Sequence, residues 1–217
     1  MKVLTFSGGA FGQNGYLAVC EETDEVVIVD PGAAAPAMVR ELRSSGATPT
    51  AILLTHAHLD HVEGIAPVRV AFPDVPIHLH PQDRPLYEAA PRQAAAFGVT
   101  IPELPPPDRA LAAGQRFTFG SSTFEVRHAP GHSPGHVIFC APDAGLALVG
   151  DVVFAGSIGR SDLPGGDFRA LIDSIRREVL TLPGETRLLS GHGLETTVAW
   201  EACHNPFLVP HYGGELA

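Results

Sequence analysis

The chain has 217 residues, of which 45% are hydrophobic and 18% charged, a composition typical of one folded domain with a sizeable core. Its formal net charge of −10 argues against general nucleic-acid binding, which normally needs a basic surface. The three cysteines are far apart and form no Cys-x-x-Cys pair, so a reducing cytoplasm is expected rather than a disulfide framework. We find no signal-peptide segment and no apolar run of about 18 residues, and therefore expect no membrane span.

The first part of the chain predicts strands alternating with helices. Hydrophobic patterns and Gly or Pro breaks predict strands over residues 3–6, 16–20 and 25–30, a helix over 34–45, a strand over 50–54, a helix beginning near 62, a strand over 77–80 and a helix over 81–99. Gly46 is the expected C-cap of the first helix. The last helix should be interrupted near Pro85 and Pro91.

The Pro-rich segment 102–108 divides the single predicted domain, residues 1–217, into halves at about 1–101 and 109–217. The second half predicts strands over 115–119, 123–128, 137–140 and 146–149, a helix over 167–180, a strand from 188 and a helix over 196–203. Asp167 is the expected N-cap of the longer helix. Strands and helices that alternate along the whole chain predict α/β layers.

The most informative motif follows the strand at residues 50–54. His56, His58, Asp60 and His61 occur within six residues, in a loop that leaves an apolar strand. Imidazole and carboxylate groups together suit zinc or another first-row metal. This segment therefore predicts a metal site.

Further candidate ligands follow other predicted strands: His132 in a Pro-Gly-His turn, Asp151 after a buried strand, and His192 between two glycines. Seven ligands are too many for one tetrahedral zinc and suit two metals with a shared ligand. We expect His56, His58 and His132 on one metal, Asp60, His61 and His192 on the other, and Asp151 bridging both. Two such metals, about 3.5–4 Å apart, hold a bridging hydroxide that attacks a carbonyl. Zinc is the expected metal, with iron and manganese as alternatives.

This ligand pattern resembles the metallo-β-lactamase superfamily along nearly the whole chain, which implies a four-layer αββα sandwich with a dimetal site at one edge. Three further segments are similar to the glyoxalase II, or hydroxyacylglutathione hydrolase, branch. They are the loop 157–167, Gly191-His192-Gly193 and Asn205-Pro206-Phe207-Leu208. The resemblance is to the short bacterial type, because the chain ends at Ala217 and leaves no room for a C-terminal helical domain.

The resemblance implies hydrolysis of a glutathione thioester, S-D-lactoylglutathione, with Asp60 and Asp151 as catalytic groups. Arg160 matches a basic residue of the family loop and is expected to bind a substrate carboxylate. Asp162 stands where the longer family members carry a tyrosine. A small thioester is thus the expected partner, with no nucleic acid, no membrane and a homodimer as the expected assembly.

Other functions remain open from the sequence. Lactonases use the same ligands, and Gly159-Arg160-Ser161-Asp162 is similar to a loop of the mononuclear iron persulfide dioxygenases. β-Lactamase activity is less favoured, since some of those enzymes carry cysteine where Asp151 stands. A non-enzymatic metal-binding role is the third class.

Several residues outside the ligand set have open or structural roles. Asp30 either orients a ligand histidine or forms a plain turn. Cys140 and Cys203 are expected in the core. Packing, outer-sphere or surface roles are expected for His78, His80, His128, His136, His204 and His211.

Overall fold

A computed structural model describes residues 1–209 of the chain, and the predictions for His211 and for the domain end at residue 217 lie outside this range. Two six-stranded sheets face each other. The first sheet has the order β1-β2-β3-β4-β5-β6 and contains β1 (Lys2–Gly8), β2 (Gln13–Val19), β3 (Glu25–Val29), β4 (Thr48–Leu53), β5 (Ile77–Leu79) and β6 (Arg109–Ala110). Its strands β1 to β3 are antiparallel, and β3 to β6 are parallel.

The second sheet has the order β14-β13-β10-β9-β8-β7. Its strands are β7 (Arg116–Phe119), β8 (Ser122–His128), β9 (Val137–Ala141), β10 (Leu146–Gly150), β13 (Arg187–Ser190) and β14 (Thr196–Thr197). Strand β10 is parallel to β13, and β8, β9 and β10 are successively antiparallel, so β8, β10 and β13 end at the same edge. A separate hairpin consists of β11 (Val153–Phe154) and β12 (Ser157–Ile158).

Helices cover the outer faces of the sheets. They are α1 (Ala35–Ser45), α2 (Leu59–Val62), α3 (Ile65–Ala71), α4 (Arg84–Glu88), α5 (Ala90–Ala96), α6 (Phe168–Ser174) and α7 (Val198–His204). A π-helical turn, Ile175–Val179, continues α6. The layers are therefore helix, sheet, sheet and helix, and the predicted αββα sandwich is confirmed. Among the described residues, no helix is both long and apolar enough to cross a membrane.

Three apolar clusters hold these layers together. Alternate residues of β3 explain the arrangement: Val27 and Val29 face the second sheet, while Val26 and Ile28 face the helices. Because both faces of β3 are covered, its sequence is continuously apolar instead of alternating. A third cluster packs α6 and the π-helical turn onto the outer face of the second sheet.

The local predictions succeed where the chain carries clear stop signals. Gly46 ends α1 in the left-handed conformation, at φ 73°, and its N–H donates to the Leu42 carbonyl. Asp167 accepts a hydrogen bond from the Ala170 N–H at 3.0 Å and caps α6, and Thr197 caps α7. Cys140 is buried as predicted.

Several boundaries were wrong. The helix expected from residue 62 is two short helices, because Gly64 packs directly against the Gly32 backbone and donates its N–H to the Pro31 carbonyl. By contrast, the interruptions expected near Pro85 and Pro91 are confirmed: α4 begins at Arg84 and α5 at Ala90, so each proline lies in the first turn of a new helix, where proline is tolerated. The short strands β6, β11 and β12 were not predicted. Cys203 is exposed and does not belong to the core.

Candidate metal centre

One edge of the sandwich brings together all seven sequence-predicted ligand residues. Strand β4 leads into the loop with His56 and His58, and α2 carries Asp60 and His61. His132 follows β8, Asp151 follows β10 and His192 follows β13. Since these strands point the same way within their sheets, their carboxyl ends place the side chains in one cluster.

The cluster contains two groups of three that could each hold a metal ion. One is His56, His58 and His132, and the other is Asp60, His61 and His192. Within each group the candidate ligand atoms lie within 4.8 Å of one another. Asp30, His56 and His61 also satisfy this distance, but the Asp30 oxygens already accept hydrogen bonds from Thr55 and His61.

Asp151 lies between the two groups. Its Oδ1 is 3.3 Å from Nε2 of His61, and its Oδ2 is 3.4 Å from Nε2 of His192. The same Oδ2 is 3.5 Å from Nε2 of His132, in the other group. Asp151 therefore contacts both groups, as a bridging carboxylate must.

Hydrogen bonds at the outer ring nitrogens orient the histidines. Nδ1 of His61 donates to Asp30 at 2.9 Å, and Nδ1 of His56 donates to the Thr55 hydroxyl at 3.0 Å. Nδ1 of His132 donates to the Arg160 carbonyl at 2.7 Å. Each of these contacts holds a proton on Nδ1, so that Nε2 offers a lone pair directed into the cluster whenever Nε2 itself carries no proton. Asp30 thus orients a ligand histidine, the first of its two sequence interpretations.

His58 differs, because its Nδ1 faces Nε2 of His132 at 2.8 Å. Three buried polar atoms that have no hydrogen-bond partner within residues 1–209 also converge here, namely Nε2 of His56, Nε2 of His61 and Oδ1 of Asp151. Buried polar atoms normally have hydrogen-bond partners. Each of these atoms can instead offer a lone pair to a metal ion. The donor set therefore fits a pair of divalent metal ions.

The two groups differ in protonation. Burial lowers the pKa of His58 to about 3 and holds the pKa of His56 well below its usual value. Burial opposes protonation of His61 too, but the nearby Asp151, Asp60 and Asp30 carboxylates raise its pKa well above the ordinary value. At His192, hydrogen bonds with Asp151 and Asp60 outweigh burial and raise the pKa to about 10. The first group is thus neutral at pH 7, and the second holds protons that a metal must displace.

Sequence reasoning missed Asp83, which connects the two loops of the first group. Its carboxylate accepts hydrogen bonds from the Ala57 N–H at 3.0 Å, the Ser133 hydroxyl at 2.7 Å and the Gly135 N–H at 2.5 Å. Asp83 is fully buried, and burial raises its pKa. A single aspartate at the start of a helical segment carries no local signal for this role, because its partners are 26 to 52 residues away.

His136 is a second residue with an unforeseen contact. It is fully buried, its ring stacks on that of His56 at 4.7 Å, and its Nε2 accepts the Asp151 N–H at 3.1 Å. It therefore positions one ligand ring and the backbone of another ligand. The sequence had suggested a packing, outer-sphere or surface role, and the first two describe it.

The first sheet also positions the His192 loop. Nδ2 of Asn14 donates to the carbonyls of Ser190 and Gly193, at 3.1 and 2.9 Å. The Tyr16 hydroxyl donates to the Ser190 carbonyl at 2.5 Å. Side chains of β2 thereby fix a ligand that belongs to the other half of the chain.

Arg160 lies at the rim of the cluster. Its guanidinium forms two hydrogen bonds of 2.8 Å with the carboxylate of Asp162, and both side chains are exposed. The backbone of Arg160 orients His132, as described above. The residue expected to bind a substrate carboxylate is therefore paired with the residue that replaces the family tyrosine.

Comparison with known proteins agrees with this geometry. The model of the metallo-beta-lactamase superfamily matches residues 8–192. A probable metallo-hydrolase of Bacillus subtilis is 38% identical over 96% of this chain and 98% of its own length. A hydroxyacylglutathione hydrolase of Haemophilus influenzae is 36% identical over 92% of this chain and 94% of its own length.

Solved structures give the same result at the level of the fold. The crystal structure of the protein TTHA1623, in a di-iron-bound form, has a TM-score of 0.87 and 46% identity over 94% of this chain and 100% of that one. The crystal structure of BLEG-1, a B3 metallo-beta-lactamase, has a TM-score of 0.89 and 39% identity over 96% of this chain and 100% of that one. These neighbours differ in the metal or activity that their names state.

Proposed function

Because the chain belongs to the metallo-β-lactamase superfamily, we propose that it is a dinuclear metal-dependent hydrolase of acyl-thioesters, of the glyoxalase II type. The observation that carries the proposal is the pair of three-residue ligand groups that share the Asp151 carboxylate. Seven ligands arranged in this way suit two metal ions better than one. Zinc is the metal we propose, and the di-iron form of a 46% identical neighbour makes iron the alternative.

Two divalent metal ions held by these residues would acidify a water molecule near neutral pH and stabilise negative charge on the attacked carbonyl oxygen. In the net reaction a C–O bond forms, the C–S bond breaks, and the products are a carboxylic acid and a thiol. Asp151 contacts both ligand groups and would fix their relative position. Asp60, whose Oδ2 is 3.2 Å from Nε2 of His192, supplies the carboxylate of the second group.

S-D-lactoylglutathione is the substrate we propose first. It is supported by the loop resemblance and by the 36% identity to a hydroxyacylglutathione hydrolase. Arg160 is the proposed contact for a substrate carboxylate. Its pair with Asp162 is exposed, and exposed ion pairs contribute only about 0–1 kcal/mol, so a substrate carboxylate can replace Asp162.

The test is metal quantification on purified protein, combined with a hydrolysis assay on S-D-lactoylglutathione with and without oxygen. We expect about two metal ions per chain and turnover that is independent of oxygen. Asp151→Ala should lower kcat/KM by about 100-fold or more, because it removes the ligand shared by both groups. Asp143→Ala, at an exposed position in a turn of the second sheet, is the control and should match the wild type.

Either of two results would contradict the proposed thioesterase function. One iron per chain, with oxygen uptake on glutathione persulfide, would replace the hydrolase by a persulfide dioxygenase. Because a B3 metallo-beta-lactamase is 39% identical, a chromogenic cephalosporin should be included in the same assay. Turnover of the lactam without turnover of the thioester would overturn the proposed substrate class.

Asp60→Ala tests the ligand assignment. It should remove the metal ion of the second group selectively, and retention of two tightly bound metals would contradict the assignment.

A further inference from the structure

Two exposed aromatic rings meet beside the second ligand group. Phe11 lies in the turn between β1 and β2 and is 43% exposed, and Phe97 follows α5 and is 63% exposed. Their ring centroids are 5.4 Å apart and their planes meet at 83°, an edge-to-face contact. Single exposed apolar residues are ordinary. Two rings brought together from distant parts of the chain and left open to solvent form a patch, which is typical of a binding surface.

This patch is attached to the metal centre. Nδ1 of His192 donates a hydrogen bond to the Phe11 carbonyl at 3.0 Å, so the backbone that carries the Phe11 ring also orients a ligand. On the other side of the pair, α5 packs against α2, the helix with Asp60 and His61. Phe11 and Phe97 therefore stand at the rim of the second group.

The side chains at this rim favour an uncharged group. Arg160, the proposed contact for a substrate carboxylate, follows β12 and bonds Asp162, so the charged part of a substrate is assigned to that loop and not to the two rings. The ring of Phe154 lies 5.8 Å from that of His192 and adds further apolar surface.

We propose that Phe11 and Phe97 form an apolar subsite for an uncharged hydrocarbon group of the substrate, attached either to the scissile carbonyl or to the leaving sulfur. This inference rests on the proposed thioesterase function and adds a substrate class to it. Burying methylene groups against the two rings removes apolar surface from water, so affinity rises with chain length. A short or fully polar substrate gains nothing from the subsite.

Two substrate series test the proposal and distinguish its two forms. One varies the acyl group of N-acetylcysteamine thioesters from acetyl to octanoyl, and the other varies the thiol of S-acetyl thioesters from ethyl to octyl. In one series, kcat/KM of the wild type should rise with length. Phe11→Ala and Phe97→Ala should each lower the ratio of long-chain to short-chain kcat/KM by about fivefold to tenfold, the scale of burying one to two methylenes.

Matched variants separate the subsite from a general disturbance. Phe11→Leu and Phe97→Leu keep apolar surface and should restore most of the ratio. Val70→Ala is the control, because Val70 lies in α3 and is 85% exposed. The neighbouring Arg69 donates a hydrogen bond to the Val75 carbonyl, just before β5 begins. This places Val70 near the edge of the sheet opposite the metal centre. Its ratio should equal that of the wild type. His192 donates its hydrogen bond to the backbone carbonyl of Phe11, which these substitutions keep. The variants should therefore retain two metals.

Binding of a non-hydrolysable thioether, S-octyl-N-acetylcysteamine, provides a second measurement by calorimetry. The wild type should bind it at least about fivefold more tightly than either alanine variant. Equal thioether affinities, or an unchanged chain-length ratio in both series, would overturn the subsite. If the metal-loaded wild type hydrolyses no thioester, the proposed function fails on its own, and the thioether measurement still decides whether the apolar subsite exists.

Discussion

Asp83 is the residue whose contacts explain best how the first ligand group is held. Its Oδ2 accepts from the Ala57 N–H, between two ligand histidines, and from the Ser133 hydroxyl, next to a third. Its Oδ1 accepts from the Gly135 N–H. One buried carboxylate thereby joins a loop of the first sheet to a loop of the second. Hydrogen bonds to a charged group each contribute about 1.5–3 kcal/mol.

Asp83→Ala should therefore weaken metal binding at the first group by about 10- to 100-fold, the range seen when outer-sphere partners are removed. Asp83→Asn should also weaken binding, because its amide NH2 must face at least one N–H or O–H donor. Ser133→Ala removes one hydrogen bond and should have a smaller effect. Competition with a chromophoric chelator measures the affinity, and the absorption of the Co²⁺-substituted protein reports ligand geometry.

Asp108→Ala is the matched control for Asp83. Its carboxylate also accepts a backbone hydrogen bond, from the Ile77 N–H at 2.8 Å, but it lies at the start of β5 and away from the ligand loops. Its Co²⁺ spectrum should match that of the wild type. A folded Asp83→Ala protein with an unchanged spectrum and unchanged affinity would show that the carboxylate has no positioning role.

At the scale of elements, α7 holds the β11–β12 hairpin against the second sheet. Glu201 of α7 is fully buried, and its Oε2 accepts from the Gly156 N–H at 3.0 Å and from Nδ2 of Asn205 at 2.8 Å. Nδ2 of Asn205 also donates to the Ser157 carbonyl at 2.9 Å. The hairpin leads directly to Arg160, whose backbone orients His132, so α7 acts on the metal centre through this connection.

Glu201→Ala should lower the free energy of unfolding by about 2 kcal/mol, since it leaves the buried Nδ2 group of Asn205 without one of its two acceptors. Hydrogen exchange of the hairpin amides should accelerate more than that of β9 or β10. Urea unfolding and exchange monitored by mass spectrometry measure both effects. Glu195→Ala breaks only the exposed pair with Arg187 and should change stability by less than about 0.5 kcal/mol. Equal effects of the two variants would contradict the tethering role.

At the scale of the whole molecule, each ligand group takes residues from both halves of the chain. His56 and His58 meet His132, and Asp60 and His61 meet His192. Each metal ion that binds only the folded protein stabilises it by mass action, by about 4 kcal/mol when the free metal is 1,000 times its dissociation constant. For a chain of this size, 1 kcal/mol corresponds to about 2–4 °C in Tm.

Removal of both metal ions by a chelator should therefore lower Tm by about 20 °C, and added zinc should restore it. Differential scanning calorimetry measures the shift. An unchanged Tm after verified metal loss would show that the metals do not connect the two halves.

The shift should also depend on pH. In the metal-free protein the pKa of His61 is raised and that of His192 is about 10, so both hold protons at neutral pH. A metal must displace these protons, and its apparent affinity falls as the pH is lowered. The difference in Tm between loaded and metal-free protein should be larger at pH 8 than at pH 6. A difference that is equal at the two values would contradict the assignment of both residues as ligands.

The sequence by itself determined the layered fold and the candidate ligands. Apolar runs of strand length predicted buried strands, and the histidines and aspartates directly after them stand out because imidazole and carboxylate groups together suit a first-row metal. Caps such as Gly46 and Asp167 act on their own helix, so local residues were sufficient to predict them. Short strands such as β6 and β12 carry too few residues for a periodic pattern, and they were missed.

Only the tertiary structure decided which residues support the centre. The contacts of Asp83 with both ligand loops, of Glu201 with the hairpin and of Phe11 with Phe97 join segments far apart in the chain. Such contacts leave no trace in local composition, because each residue alone is also compatible with a cap, a surface charge or an ordinary apolar position. The Arg160–Asp162 pair likewise depends on side-chain conformation, which the sequence does not specify. The candidate metal ligands can be identified from the sequence, whereas the contacts that form the rim around them depend on the fold.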